Sequence, residues 1–109
     1  MRILKSVIYA IMFLHILGCS KEQTTQVINT PTIQCGMCQK NIENGLKSIP
    51  GISKVSVDLD SKTTSVTYDS QKANVKTIEN SISKSGYQAN NLKADPVTYE
   101  SLPDCCKIG

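Results

Sequence analysis

The order of hydrophobic periodicities is the sequence feature that most restricts what this chain can fold into. Between residues 27 and 92, the spacing of the apolar residues changes between that of a strand and that of a helix, in the order β-α-β-β-α-β. The strand positions are Val27, Ile28 and Ile33, then Val55, Val57 and Leu59, then Thr64, Val66 and Tyr68, and finally residues 87–92. The helix positions are Ile42, Leu46 and Ile49, then Val75, Ile78 and Ile82. This order predicts a ferredoxin-like α+β domain, in which two helices cover one face of a four-stranded antiparallel sheet.

Turn and capping residues agree with this order. The first helix is predicted over about residues 39–48, and the Pro-Gly pair at residues 50–51 predicts a turn after it. Residues 60–62 separate two alternating runs and predict the turn of a hairpin. Asn74 is placed to cap the second helix at its N-terminus, and Gly86 lies just past its C-terminal end.

The first 18 residues have the layout of a secretory signal peptide. Arg2 and Lys5 precede an apolar run over residues 6–17, which is shorter than the about 20 residues that a membrane-spanning helix needs. The run ends in Ile16-Leu17-Gly18-Cys19, which resembles a bacterial lipobox, where cleavage before the cysteine leaves a lipidated residue as the new N-terminus. The alternative is an ordinary secretory signal, with Cys19 as an unmodified thiol.

These features divide the chain into four predicted segments. They are the signal peptide (residues 1–18), the lipidated cysteine and a polar tether (19–26), the folded domain (27–92) and a tail (93–109). Acyl chains on Cys19 would hold the domain on a membrane, so we expect it in the cell envelope, on the extracytoplasmic side. An aspartate after the lipidated cysteine retains some bacterial lipoproteins in the inner membrane. Because Ser20 stands there instead, we expect the outer membrane if the organism has one.

The charge of the chain excludes one class of partner. The sequence has 12 basic and 9 acidic side chains, a formal charge of +3, and loss of Arg2 and Lys5 with the signal peptide leaves 10 against 9, or +1. Without a basic cluster or an aromatic run, nucleic-acid binding has no electrostatic support. The sequence also has no Ser/His/Asp set, paired-carboxylate cleft or glycine-rich phosphate loop, so we do not expect an enzyme.

The motif Cys35-Gly-Met-Cys38 points to metal chemistry. Two cysteines separated by two residues, where a strand is predicted to end and a helix to begin, can direct both sulfurs at one ion. The N–H groups and the dipole of a helix N-terminus favour thiolate, the form that binds metal. Soft sulfur ligands select soft or borderline ions such as Cu(I), Hg(II) and Zn(II) over hard cations. With two sulfurs, linear Cu(I) or Hg(II) is better matched than Zn(II), which prefers four ligands.

The residues around this motif carry a family resemblance. The matching segments are Cys-Gly-Met-Cys-Gln-Lys-Asn-Ile-Glu-Asn-Gly-Leu at residues 35–46, Pro-Gly-Ile at 50–52 with the strand that follows, and Ser-Gly-Tyr at 85–87. Together they resemble the heavy-metal-associated domain of copper chaperones, metal-pumping ATPases and the periplasmic mercury-binding protein. The resemblance covers the whole predicted domain. It implies that Cys35 and Cys38 are the metal ligands and that Tyr87 packs over the site.

Three positions near the motif differ from the family pattern. Ile33 stands where the family usually has methionine, and it can fill the same apolar space under the loop. Met37 lies between the cysteines, where we expect it to pack beside the ligands rather than to bind metal. Gln34 replaces the aspartate that supplies a hard ligand in zinc-pumping relatives. The resemblance therefore favours Cu(I) or Hg(II) as the bound ion, with Zn(II) less suited.

Cys105 and Cys106 lie beyond the predicted domain, in a tail that contains Pro96 and Pro103. A disulfide between adjacent cysteines is strained, so the pair is better suited to soft metal or to thiols elsewhere. If the tail folds back, it can give the ion a third or fourth sulfur, or it can capture metal first and pass it on. The remaining alternatives are a disordered end and a structural cross-link in an oxidising compartment.

Three functions are compatible with these features. The first is an anchored metallochaperone or scavenger in metal transport or detoxification, which passes Cu(I) or Hg(II) by thiolate exchange to a metal-transporting membrane protein or another metal-binding domain. The second is a thiol–disulfide oxidoreductase that uses the same two cysteines. Against the second, the chain is short for a thioredoxin fold and no partner proline loop can be identified. The third is a passive metal buffer or sensor.

Overall fold

The computed structural model describes residues 23–107. Its elements are β1 (Gln23–Asn29), α1 (Gly36–Lys47), β2 (Ile52–Asp58), β3 (Thr63–Asp69), α2 (Val75–Lys84), α3 (Pro96–Ser101) and a 3-10 turn (Asp104–Cys106). An antiparallel sheet and two longer helices share one core, which confirms the predicted α+β class. The predicted signal peptide and the predicted lipidation at Cys19 lie outside the described residues.

The sheet has β3 at its centre, in the order β1-β3-β2. β3 pairs antiparallel with β1 from Gln23↔Asp69 to Asn29↔Thr63, and with β2 in the predicted hairpin. Along β3, buried residues alternate with partly exposed ones, as expected when one face of a strand packs on a core. The buried positions are Thr64, Val66 and Tyr68, which the sequence pattern predicts.

The core lies between this buried face and the helices α1 and α2. Ile42 and Leu46 of α1, and Ile78 and Ile82 of α2, are all fully buried, as their helical spacing predicts. The two loops that follow β1 and α2 add Ile33 and Tyr87, which are fully buried too. None of the helices between Gln23 and Lys107 is both long enough and apolar enough to cross a membrane.

The N-terminus of α2 is capped as the sequence predicts. The Asn74 side chain accepts a hydrogen bond of 2.8 Å from the Thr77 backbone N–H, which has no partner within the helix. We expect Asn74→Ala to lower the free energy of unfolding by about 1 kcal/mol, because this donor loses its acceptor. Urea denaturation tests this, with Asn80→Ala on the exposed side of the same helix as the control. Equal effects of the two substitutions would contradict the capping role.

The sheet differs from the prediction in its first strand and in its predicted last strand. β1 begins at Gln23, inside the segment predicted as a polar tether, because pairing with β3 uses the backbone and requires no apolar side chains. The predicted fourth strand over residues 87–92 is wrong for the described chain. Ala89 and Leu92 instead pair with each other around Asn90, which has a left-handed φ of 51°. This turn uses the backbone groups that a ladder with β1 would need, and only Asn90 hydrogen-bonds Asn29.

Candidate metal centre

The loop between β1 and α1 sets the position of the two motif cysteines. Thr30 is buried at its start, where its hydroxyl lies 3.1 Å from the Thr64 hydroxyl of β3. The fully buried Ile33 then holds the loop against the core, at the place where the family resemblance puts an apolar residue. Cys35 follows as the N-cap residue of α1, and Cys38 lies in the first turn of that helix.

Cys35 and Cys38 bring their sulfurs together at this helix end. The two Sγ atoms are 3.8 Å apart, and Cys38 Sγ also accepts a 3.4 Å hydrogen bond from the Gln34 backbone N–H. Cys38 is fully buried, whereas Cys35 is partly exposed. The pair therefore presents one sulfur that an incoming ion or thiol can reach and one that the core holds in place.

The surroundings of Cys35 favour its thiolate. The pKa of Cys35 is lowered to about 7, mainly by the backbone N–H of Cys38 in the first helical turn and next by Cys105. The hydrogen bond with Cys35 raises the pKa of Cys105, and burial raises that of Cys106 to about 12. Cys35 is therefore about half ionised near pH 7, where these two partners still carry protons.

These pKa values predict different reactivities toward iodoacetamide. Only thiolate reacts, so modification of Cys35 should rise with pH and reach half its maximal rate near pH 7, while Cys106 stays unmodified. Peptide mass spectrometry after brief labelling between pH 5 and pH 10, about the range in which thiols titrate, checks this order of reactivity. Equal labelling of the two cysteines at pH 7 would contradict it.

The lowered pKa of Cys35 also affects the stability of the fold. Its contribution to stability is complete above pH 9.0 and is lost as the pH falls through about 7.

Tyr87 lies beside the cysteines, as the family resemblance implies. It is fully buried, and its hydroxyl accepts a 3.0 Å hydrogen bond from the Asn41 side-chain amide of α1. Burial raises the pKa of this hydroxyl, and the neighbouring Cys38 and Cys106 raise it further. Tyr87 therefore stays neutral and forms an apolar wall with one polar group toward the sulfurs.

The tail does not extend away from the domain but folds back over it. The Asp95 backbone N–H donates to the Ser83 carbonyl at 2.9 Å, and the Asp95 carboxylate caps α3, whose first residue is Pro96. Leu102 then packs over Gly86, where a Cβ atom would lie 2.9 Å from the Leu102 side chain. The 3-10 turn that follows buries Cys106 completely.

This path brings the tail cysteines to the motif. Cys35 Sγ lies 3.4 Å from Cys105 Sγ and 3.8 Å from Cys106 Sγ, and the two tail sulfurs are 4.0 Å apart. Met37 is about half exposed, and its Sδ lies 3.9 Å from Cys105 Sγ. All four cysteines of the described chain are thus gathered at one end of the domain, and all are free thiols.

Two residues near the site were missed by reasoning from the sequence. Asn41 lies on the polar side of the helical stripe, and no sequence signal connects it with Tyr87. Leu102 secures the tail, but it lies beyond the predicted domain, where no helix or strand is predicted. A signal for part of the tail does exist, because Asp95-Pro96 matches the N-cap and first position of a helix.

Comparisons with known proteins agree with this fold and site. The model of the heavy-metal-associated domain matches residues 27–88. The mercuric transport protein periplasmic component of Shewanella putrefaciens is 30% identical over 80 residues, covering 73% of this chain and 85% of that protein. The copper-exporting P-type ATPase of Bacillus subtilis (strain 168) is 32% identical over 74 residues, which are 68% of this chain but only 9% of the ATPase.

A solved structure supports the same assignment. The CopZ metallochaperone superposes with a TM-score of 0.59 at 29% sequence identity, and the match covers 61% of this chain and 98% of the metallochaperone. The family model spans α1, which carries the paired cysteines, and also β2, β3 and α2. The chain therefore belongs to the heavy-metal-associated domain family.

Proposed function

We propose that this protein binds a soft metal ion, Cu(I) or Hg(II), through the thiolates of Cys35 and Cys38 and passes it to a metal-transporting partner. The observation that carries the proposal is the placement of two free thiols, with Sγ atoms 3.8 Å apart, at the N-terminus of α1. Two thiolates without a hard oxygen ligand select a soft ion. The names of the similar proteins support the same cargo, since one is a copper exporter, one a mercuric transport protein and one a metallochaperone.

The two thiols have different parts in this proposal. Cys35 is partly exposed and about half ionised near pH 7, so it makes the first bond to an arriving ion. Cys38 is buried and held by the Gln34 N–H, so it closes the site and loses its proton to solvent. In transfer, a partner thiolate forms a bond to the ion as one of these bonds breaks. The ion keeps its oxidation state throughout.

The proposal includes an anchor in the cell envelope. Its support is the sequence Ile16-Leu17-Gly18-Cys19 after an apolar run. A lipid on Cys19 would keep the site close to the membrane and to a transporter within it. Mass spectrometry of the membrane fraction tests this. An N-terminal peptide that retains Gly18 and carries no acyl mass on Cys19 would refute the anchor.

The transfer step is tested with residues 20–109, because every described strand and helix and the shared core lie within them. The protein is loaded with one equivalent of Cu(I) under anaerobic, reducing conditions. It is then mixed with rising concentrations of the soluble domains of the Bacillus subtilis copper-exporting ATPase. We expect the initial transfer rate to rise in proportion to acceptor concentration, because exchange occurs within a complex. A rate independent of acceptor would mean free release, and the protein would then be a passive buffer.

A further inference from the structure

We propose that Cys105 and Cys106 form, together with Cys35, a three-thiolate site for the soft ion, next to the Cys35/Cys38 pair. The inference rests on the function proposed above and adds to it a ligand set and a route of exchange. Among residues 23–107, Cys35, Cys105 and Cys106 are the set whose ligand atoms all lie within 4.8 Å of one another. Cys38 is outside this set, but it shares Cys35 with it.

The sulfur separations fit three ligands better than two. With a metal–sulfur bond of about 2.3 Å, three sulfurs around an ion in one plane lie about 4.0 Å apart, and two collinear sulfurs lie about 4.6 Å apart. The observed separations are 3.4, 3.8 and 4.0 Å within the three-cysteine set. The 3.8 Å between Cys35 and Cys38 is also too short for a collinear pair. In the proposed site, three sulfurs take the place of the linear coordination expected from two sulfurs alone.

The tail is held in this position by contacts that have nothing to do with sulfur. Asp95 caps α3 and bonds to Ser83, and the Ser83 hydroxyl donates to the Lys93 carbonyl at 2.7 Å. Leu102 packs over Gly86 and is itself buried. The structure thus places two further sulfurs at the site before any ion arrives, which lowers the entropic cost of a third bond.

Cys35 belongs both to the Cys35/Cys38 pair and to the three-cysteine set, so the ion can move from one set of ligands to the other through it. Its sulfur lies 3.8 Å from Cys38, 3.4 Å from Cys105 and 3.8 Å from Cys106. An ion bound to Cys35 can therefore exchange a bond to Cys38 for bonds to the tail sulfurs without leaving the protein. Each thiol that binds gives its proton to solvent, and no electron is transferred. Cys105 is the exposed sulfur of the three-cysteine set, so a partner thiolate can reach an ion bound there.

Copper K-edge X-ray absorption tests the ligand count on residues 20–109 with one equivalent of Cu(I). We expect three sulfurs in the intact protein and in Cys38→Ser, and two in the Cys105→Ser/Cys106→Ser variant. Met37→Leu is the matched control, because it removes a nearby sulfur that the proposal does not use, and it should retain three. Two sulfurs in the intact protein would overturn the proposal.

Affinity and oligomeric state separate this inference from the function on which it rests. Cys35→Ser should weaken Cu(I) binding more than Cys38→Ser does, because both ligand sets share Cys35. Equal losses would count against the shared ligand. Light scattering must show a monomer, since three sulfurs supplied by a metal-bridged dimer would also overturn the proposal. If absorption shows two sulfurs in the intact protein and the affinity still depends on the Cys35/Cys38 pair, only the tail site is refuted. If Cu(I) binds tightly without that pair, the proposed function itself is refuted.

Discussion

Replacing both Cys35 and Cys38 by serine is expected to lower the affinity for Cu(I) by more than about 100-fold, since even residues that only support a metal ligand contribute about 10- to 100-fold. The reason is that the change removes the buried Cys38 together with the Cys35 sulfur, which lies 3.8 Å from Cys38, 3.4 Å from Cys105 and 3.8 Å from Cys106. Competition with a Cu(I) chelator under reducing conditions measures the affinity.

The control for this experiment is Lys40→Ser/Asn44→Ser, two exposed positions on the same helix. It introduces the same number of serines into α1 and should leave the affinity unchanged. Circular dichroism establishes that both variants keep their helix content. If the Cys35→Ser/Cys38→Ser variant binds as tightly as this control, the assignment of the site to the motif is wrong.

Truncation of Leu46 to alanine is expected to lower the free energy of unfolding of the metal-free protein by about 2 to 5 kcal/mol. Leu46 is fully buried on α1, so its loss removes apolar contacts and leaves a cavity among side chains of both helices and the sheet. A domain of this size has little stability to lose, because small proteins lie toward the lower end of a range of about 5 to 15 kcal/mol. The variant should therefore be partly unfolded at physiological temperature.

Urea denaturation without metal and under reducing conditions tests the Leu46 prediction. Val97→Ala is the matched control, because Val97 is 79% exposed and its truncation should change the free energy of unfolding by less than about 0.5 kcal/mol. An effect of Leu46→Ala no larger than that of the control would show that α1 does not pack on the core as described. The orientation of its first turn, and with it the position of Cys38, would then need a different explanation.

The sequence predicts the two helices well because their apolar stripes are regular. Ile42 with Leu46, and Ile78 with Ile82, have the spacing of one helical face, and all four are fully buried. Asn74 and Gly86 lie at the predicted ends of α2. These features depend on residues close together in the chain, so a single sequence is sufficient to identify them.

The remaining differences come from interactions that carry no local pattern. β1 starts in a polar segment because β3 supplies its hydrogen-bond partners, and the predicted last strand fails because Asn90 adopts a left-handed turn. α1 begins at Gly36, three residues before the predicted start. The prediction placed the start too late because the apolar stripe on which it rests begins only after the motif. The motif cysteines could be identified from their spacing together with the strand and helix patterns on either side of them.

The placement of the tail could not be predicted from periodicity. Cys105 and Cys106 are far from Cys35 in sequence, and they reach it only because α3, Leu102 and the 3-10 turn direct the chain back across the end of α2. Each of these contacts is a single tertiary interaction. A tail that supplies sulfur remained one of several alternatives until the structure placed the four thiols together.

The most direct measurement of the central claim is a titration of isotope-labelled residues 20–109 with Cu(I), followed by amide resonances in two-dimensional NMR. We expect the largest shifts at residues 34–39 and at Cys105 and Cys106, whose sulfurs lie at the proposed site, and smaller ones around Tyr87. The shifts should be complete at one equivalent of Cu(I). Shifts that leave Cys35 and Cys38 unchanged while resonances elsewhere move would contradict the account, because the soft ion would then bind at another place.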